Sequence, residues 1–302
     1  MPKSAPIKGR LLPTTRKRAL APAAGGRTLR AGETVAITYF VYTAVLASLH
    51  RLSLPWVLTA WLVPVGLWTL AVIERRNSRE WSRIARDWIP LVLILVGYWE
   101  LNWFAVPAGP QWNDRWIGFD RQLFDLGFRT GIETFGGAIP GTLEAAYLFL
   151  YTIPPVCMAA LYLNGARNKS DRFLFTLLLG TFASYALIPY FPTASPRTAF
   201  PNEDLPHYAS IWRSLNVWLL DRYDISTGVF PSGHVAVAFS SAFGLLRAMP
   251  RKRWWWSAIF ATATMVFIAT VYGRYHYAAD GIASIGISTA AWWVSGVIDR
   301  HE

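Results

Sequence analysis

Long apolar runs separated by short charged stretches set the pattern of this 302-residue chain. The runs fall at roughly 34–50, 54–73, 88–106, 143–166, 172–191, 231–248, 254–272 and 276–297. Most approach the ~20 residues that a helix needs to cross a bilayer. The pattern therefore predicts an all-α fold, a polytopic membrane bundle of about eight transmembrane helices. The first two runs are the weakest signals, because 34–50 is short and only Arg51 separates it as a charge from its neighbour. Residues 1–33 hold no apolar run and are rich in Lys, Arg, Pro, Ala and Gly. That stretch cannot bury a core and is expected to be a disordered basic tail; without an apolar segment of its own it does not read as a cleaved signal peptide. No internal repeat is visible.

Composition agrees with the membrane reading. Charged residues make up 16% of the chain, against about 25% in soluble proteins. The net charge of +11 raises nucleic acid as a partner, but the positive charge follows one side of a membrane instead. With the N-terminus inside, 21 of the 29 Lys and Arg fall in the tail, the 74–87 loop, the stretches around 167–172 and 247–253, and Arg300. The positive-inside rule then places both termini in the cytosol, and plasma membrane is the expected location. The loops at 107–142 and 192–230, and the starts of the runs at 231 and 276, face outward. The 107–142 loop interleaves Trp112, Trp116, Phe119 and Phe124 with Asp114, Asp120 and Asp125, as an interfacial amphipathic element does. Trp254, Trp255 and Trp256 follow Arg251, Lys252 and Arg253, as at a headgroup boundary. One cysteine, Cys157, excludes an internal disulfide and any multi-cysteine metal site; on an apolar span it reads as a small core residue.

The candidate chemistry sits in three pieces that this topology brings to the outer face. The first is Phe230-Pro231-Ser232-Gly233-His234. Proline suits the first turn of a helix, glycine lets backbone approach a ligand, and the free N–H groups of a first turn attract an anion. His234 then stands where it can protonate a leaving oxygen. The second is Arg274-Tyr275-His276-Tyr277-Ala278-Ala279-Asp280. On a helix His276 and Asp280 share a face, so the carboxylate can hold one ring nitrogen and leave the other as nucleophile or base. The third is Tyr190 to Arg197, in which two prolines stiffen the approach of an arginine suited to phosphate oxygens.

Together these pieces resemble the type 2 phosphatidic acid phosphatase (PAP2) superfamily. The resemblance covers about residues 88–297 and implies a six-helix catalytic core within 88–302, preceded by two N-terminal spans and a basic loop at 34–87. It implies His276 as the nucleophile that becomes a phosphohistidine, His234 as the general acid and Asp280 as the orienting group. Arg197, Ser232, Gly233 and Arg274 would bind the substrate phosphate. No cofactor and no metal are implied. Two departures stand out: Tyr190 occupies the place of a family lysine and Thr270 that of a family arginine, for which Arg274 either substitutes or instead contacts lipid headgroups. The reduced pattern looks more like the inositol phosphorylceramide synthase-like branch. The expected function is a lipid-phosphate phosphotransferase or phosphatase at the extracytoplasmic face, passing a phosphoryl or phospho-headgroup to a lipid hydroxyl or to water. The alternative is a non-catalytic lipid-binding or lipid-translocating protein of the same fold.

Other readings of these residues carry less. His276 and Asp280 alone can be a buried polar pair that locks two helices. Two His and one Asp can form a metal triad, but Arg197, Arg274 and a helix N-terminus all repel a cation. His50, His207 and His301 lie in no motif. Glu100, a carboxylate within a span, is either functional or hydrogen-bonded to a neighbouring helix.

Overall fold

The computed structural model describes residues 28–76, 79–225 and 228–298. Most of the expected basic tail, residues 1–27, and the terminal Arg300 and His301 lie outside them. Among the described residues all regular structure is helical: α1 (Ala31–Leu49), α2 (Leu54–Arg76), α3 (Glu80–Glu100), α4 (Pro110–Asp125), α5 (Phe128–Glu133), α6 (Ala138–Leu148), α7 (Ile153–Leu163), α8 (Ser170–Leu187), α9 (Pro196–Ala199), α10 (Ile211–Tyr223), α11 (Gly233–Ala248), α12 (Arg253–Tyr272) and α13 (Ala278–Ile298). The first helix begins at Ala31, inside the stretch expected to be disordered, because Asp171 on α8 accepts from the N–H groups of Ala31 and Gly32, each at 3.0 Å.

All eight apolar runs fold into helix, but six spans are long and apolar enough to cross a membrane: Ala31–Leu49, Leu54–Arg76, Ala138–Leu163, Arg167–Tyr190, Arg253–Tyr272 and Ala278–Ile298. The run at 88–106 falls short because α3 starts early and carries Arg83, Arg86 and Asp87. The run at 231–248 falls short because α11 has only 16 residues. The span 138–163 is two helices joined by a 3₁₀ turn at Phe149–Thr152, with Pro154 and Pro155 opening α7; a first turn tolerates proline because its N–H groups have no helical partner anyway. Proline also ends α8: Ile188, ahead of Pro189, leaves the α-helix for a short 3₁₀ turn, since the residue before proline disfavours helical geometry.

The short α11 is the axis of the bundle, with α7, α8, α12 and α13 around it. Its sequence is small and apolar on nearly every side, and almost all of it is buried. Small residues let the helices meet at close range. A Cβ on Gly180 of α8 would stand 2.2 Å from the Ser240 hydroxyl, and Ser240 in turn donates to Ser288 of α13 at 2.9 Å. Outside this group α1 packs on α8, and α2 on α1. One end of the bundle carries the starts of α1 and α8, the first half of α3 and a dense set of ion pairs; the opposite end carries the start of α11, the turn before α13 and helices α4, α9 and α10.

Candidate active site

The starts of α11 and α13 meet at the second end. Ser232 caps α11, its hydroxyl accepting from the Val235 N–H at 3.3 Å. The helix thus begins at Gly233, and the expected placement of Pro231 in its first turn moves by two residues. The Ser232 N–H donates to the Asp280 carbonyl at 3.2 Å, and its carbonyl accepts from Ser284 at 2.9 Å. Ser232 therefore spends its backbone N–H and carbonyl on joining α11 to α13 and its hydroxyl on capping α11. Gly233 is needed for packing as much as for approach: a Cβ there would stand 2.8 Å from the Tyr185 ring.

His276 precedes α13 rather than lying within it, in the turn left by Gly273 and the positive-φ Arg274. The expected contact forms all the same. Its Nδ1 lies 3.3 Å from Asp280 Oδ2 and 3.0 Å from the Val229 carbonyl oxygen. A carbonyl oxygen only accepts, so Nδ1 carries the proton and Nε2 presents a lone pair. Asp280 is held in turn by the Tyr277 N–H at 2.9 Å. Burial pushes the His276 imidazole down to about 4, against the opposing pull of Asp224 and of the Val229 carbonyl. The ring is neutral at physiological pH, the form that can attack phosphorus.

The lone pair of His276 Nε2 faces His234 Nδ1 at 3.2 Å. His234 Nδ1 must then be the donor, and its Nε2, 3.1 Å from the Tyr151 hydroxyl, accepts from it when the ring is neutral. A hydroxyl can also reverse this bond and accept once His234 is protonated. Around His234 stand the rings of Tyr98, Tyr147 and Tyr151, with centroids 5.2–6.0 Å away. The two histidines that lie 42 residues apart are thus brought into direct contact.

The two arginines are placed differently. Arg197 joins the site through backbone, its N–H donating to the Arg274 carbonyl at 3.0 Å; its guanidinium pairs with Asp221 of α10 at 2.8 Å. Arg274 is fully buried and gives NH1 to Asp120 of α4 at 3.0 Å. Its Nε and NH2, the edge suited to bidentate binding, are buried without a hydrogen-bond partner among the described residues. Asp120 also accepts from the Ala278 N–H at 3.0 Å, so one carboxylate both pairs Arg274 and caps α13.

Several of these residues escape a reading of the sequence. Val229 acts through its carbonyl and Tyr151 comes from another span, so no local motif marks them. Asp120 belongs to the amphipathic loop pattern, where its spacing looks like any solvated acid. Glu144 of α6 is another: it accepts from Arg213 at 2.9 Å, Asn216 at 2.8 Å and Tyr275 at 2.6 Å, tying α10 to the turn that carries His276. Glu100 accepts from Thr43 of α1 at 2.9 Å, the neighbouring-helix bond, and His207 pairs with Glu133 at 2.8 Å outside the histidine site. Cys157 is free and buried. Among the described residues, no group of three or more His, Cys, Asp or Glu is arranged to hold a metal ion.

A family model for the PAP2 superfamily matches residues 131–294, from α5 into α13. The match begins later than the resemblance drawn from the motifs, leaving α3 and α4 outside it. No curated protein and no solved structure matches the chain.

Proposed function

The chain belongs to the PAP2 superfamily, and on that premise we propose that it is an integral membrane enzyme that cleaves or transfers a phosphate ester of a lipid through a phosphohistidine. The observation that carries this is the ordered contact from Asp280 and Val229 through His276 to His234. His276 Nε2 attacks phosphorus as the ester bond to the lipid alcohol breaks. The leaving oxygen takes a proton from His234, which has become imidazolium by taking up a proton with the anionic substrate. Tyr151 accepts from Nε2 of that imidazolium and keeps Nδ1 directed at the reaction. In the second half-reaction water or a lipid hydroxyl gives its proton to His234 and attacks the phosphohistidine, restoring both rings.

The rings touch in the resting structure, so the phosphoryl group enters by parting them. The N-terminal turn of α11 at Gly233, with Ser232 as its cap, then turns its free N–H groups to the oxygens, and the edge of Arg274 that has no partner among the described residues supplies charge. Arg197 joins them by releasing the exposed Asp221. The positive-inside count supports the extracytoplasmic face for this end of the bundle. The sparse cations, with Tyr190 and Thr270 where basic residues are usual, favour the branch resembling inositol phosphorylceramide synthase, in which a lipid hydroxyl is the acceptor.

The test is turnover of radiolabelled lipid phosphates by the purified protein, with acid-labile, base-stable label trapped on it by rapid quench. His276→Ala is expected to abolish both label and turnover while the protein stays folded. Unchanged turnover in His276→Ala would falsify the mechanism. Binding of lipid phosphate by the wild type with neither label nor release would favour the non-catalytic alternative.

A further inference from the structure

Each arginine around the His276 turn arrives with a carboxylate of its own. Arg274 pairs with Asp120 at 3.0 Å, Arg213 with Glu144 at 2.9 Å and Arg197 with Asp221 at 2.8 Å. Asp280 and Asp224 bring two further carboxyl groups to the same end, against His276 Nδ1 and the Tyr98 hydroxyl. Among the described residues, the end that receives an anion therefore carries no surplus of positive charge.

Two of the three acids have other work. Asp120 caps α13 through the Ala278 N–H, and Glu144 holds Asn216 and Tyr275 besides Arg213. Asp221 differs. Among the described residues its side chain bonds to Arg197 alone. It stands in the last turn of α10, where the negative end of the helix dipole disfavours an acid. Nor does α10 need the pair to stay in place. Arg213 and Asn216 fix its first half to Glu144 and the Gly273 carbonyl, and Trp99 Nε1 donates to the Tyr223 carbonyl at its far end. The Asp221 side chain is 58% exposed and that of Arg197 17%, so the acid can leave for water without burying its charge.

We propose that Asp221 is a specificity-determining residue, a counter-charge on Arg197 that makes the phosphate site discriminate against dianions. The inference rests on the reading that substrate phosphate meets Arg197. An incoming anion either displaces the carboxylate or shares the guanidinium with it. A doubly charged phosphate, free or as a monoester, is repelled by that carboxylate twice as strongly as a singly charged diester. A diester needs one cationic edge, and Nε and NH2 of Arg274 provide it. A dianion also needs Arg197, whose charge Asp221 already answers. The substrate class that this balance favours is a lipid phosphodiester, and free phosphate at the same face is turned away.

Binding to the full-length protein in maltoside micelles tests this without turnover. The probes are decylphosphonate, a dianion at mildly alkaline pH, and decyl(methyl)phosphinate, a monoanion; neither has an ester bond to break. Asp221→Asn removes the charge and keeps the shape. It is expected to tighten decylphosphonate by about fivefold, the upper scale of a partly exposed ion pair. The phosphinate should gain about twofold at most, with the melting temperature unchanged. Glu203→Gln, which removes an exposed acid paired with Arg121 in the neighbouring loop, should leave the ratio of the two affinities as it is. A ratio that stays fixed in Asp221→Asn, or that Glu203→Gln shifts as far, overturns the proposal; a fixed ratio with a lowered melting temperature makes the pair structural. Turnover of lipid monoesters and diesters separates the two readings. Turnover with a fixed binding ratio overturns the role of Asp221 and leaves phosphotransfer intact. A shifted ratio with no turnover of either ester overturns phosphotransfer and leaves the charge selection.

Discussion

The two ends of the bundle both bury charge, and they do it in opposite ways. At the basic end Asp87 accepts from Arg30 at 2.6 Å, Arg167 at 2.9 Å, Tyr162 at 2.6 Å and Ser170 at 2.9 Å. Beside it Arg86 is buried between Glu33 and Glu74. These groups are saturated, and they tie α1, α3, α7 and α8 together. At the other end Tyr147 OH, Tyr277 OH, Asp280 Oδ1 and two nitrogens of Arg274 are buried without a hydrogen-bond partner among the described residues. An unpaired buried polar group costs about 1–3 kcal/mol, so a fold tolerates several together only where something other than stability keeps them. Saturation marks the end that holds the fold; spare donors and acceptors mark the end that can take a ligand.

That contrast can be broken by experiment. Asp87→Ala should have the largest effect on stability. It leaves Arg30 without its carboxylate and Arg167 with Glu80 alone; losing one partner of a fully buried ion pair removes about 3–5 kcal/mol, which is the upper bound for these partly exposed arginines. Thermal unfolding in detergent should show the loss, with turnover per folded molecule unchanged; a stable Asp87→Ala protein with impaired chemistry would reverse the roles of the two ends.

Asp280→Asn should do the opposite. Groups that orient a catalytic imidazole are commonly worth about 10–100-fold in activity. The loss should stay in that range because the Val229 carbonyl, nearer to Nδ1 than Asp280 is, still holds the tautomer. Steady-state kcat measures it, with the melting temperature as control, and a 10⁴-fold fall, as follows loss of the tautomer in serine proteases, would show that Val229 does not suffice.

Gly233→Ala sharpens the packing half of the comparison. Its Cβ would press on Tyr185 at 2.8 Å, and overpacking of a tight core costs about 1–3 kcal/mol. An unshifted melting temperature would mean that the start of α11 is less tightly packed than its distances imply.

The smallest effect is a slope. The His276 pKa is about 4 in the fold and about 6.5 in an unfolded chain. Between these values the unfolded chain binds more protons, so stability from this group is complete above about 6.5 and declines as pH falls toward 4. Turnover that depends on neutral His276 should persist through that window and fail as pH passes below about 4. The melting temperature of His276→Gln should fall less steeply than that of the wild type from pH 6.5 to 4; equal slopes would place the acid sensitivity elsewhere.

Much of the fold was legible in the order of residues. The eight apolar runs became helices because hydrophobic length and charged boundaries are local properties. Their crossing capacity was less legible, since α3 extends back through Arg83, Arg86 and Asp87 and buries the last two in the ion pairs of the basic end. The pairing of Ser232–His234 with His276–Asp280 was visible because each piece is compact and each opens a helix. The roles of Ser232 and Gly233 were only half visible: both also serve the packing of α11 against α13 and Tyr185.

Sequence by itself therefore determined the helical membrane architecture, the two histidines and the acid behind one of them, because those are written in runs and in spacings of a few residues. Only the tertiary structure decided that His234 and His276 touch, that a carbonyl 47 residues away sets the tautomer, and that Arg274 is anchored by Asp120. These are contacts between segments distant in the chain. Helix packing selects them, and packing depends on which small residues of α8, α11 and α13 can meet, a property of surfaces that no single stretch contains.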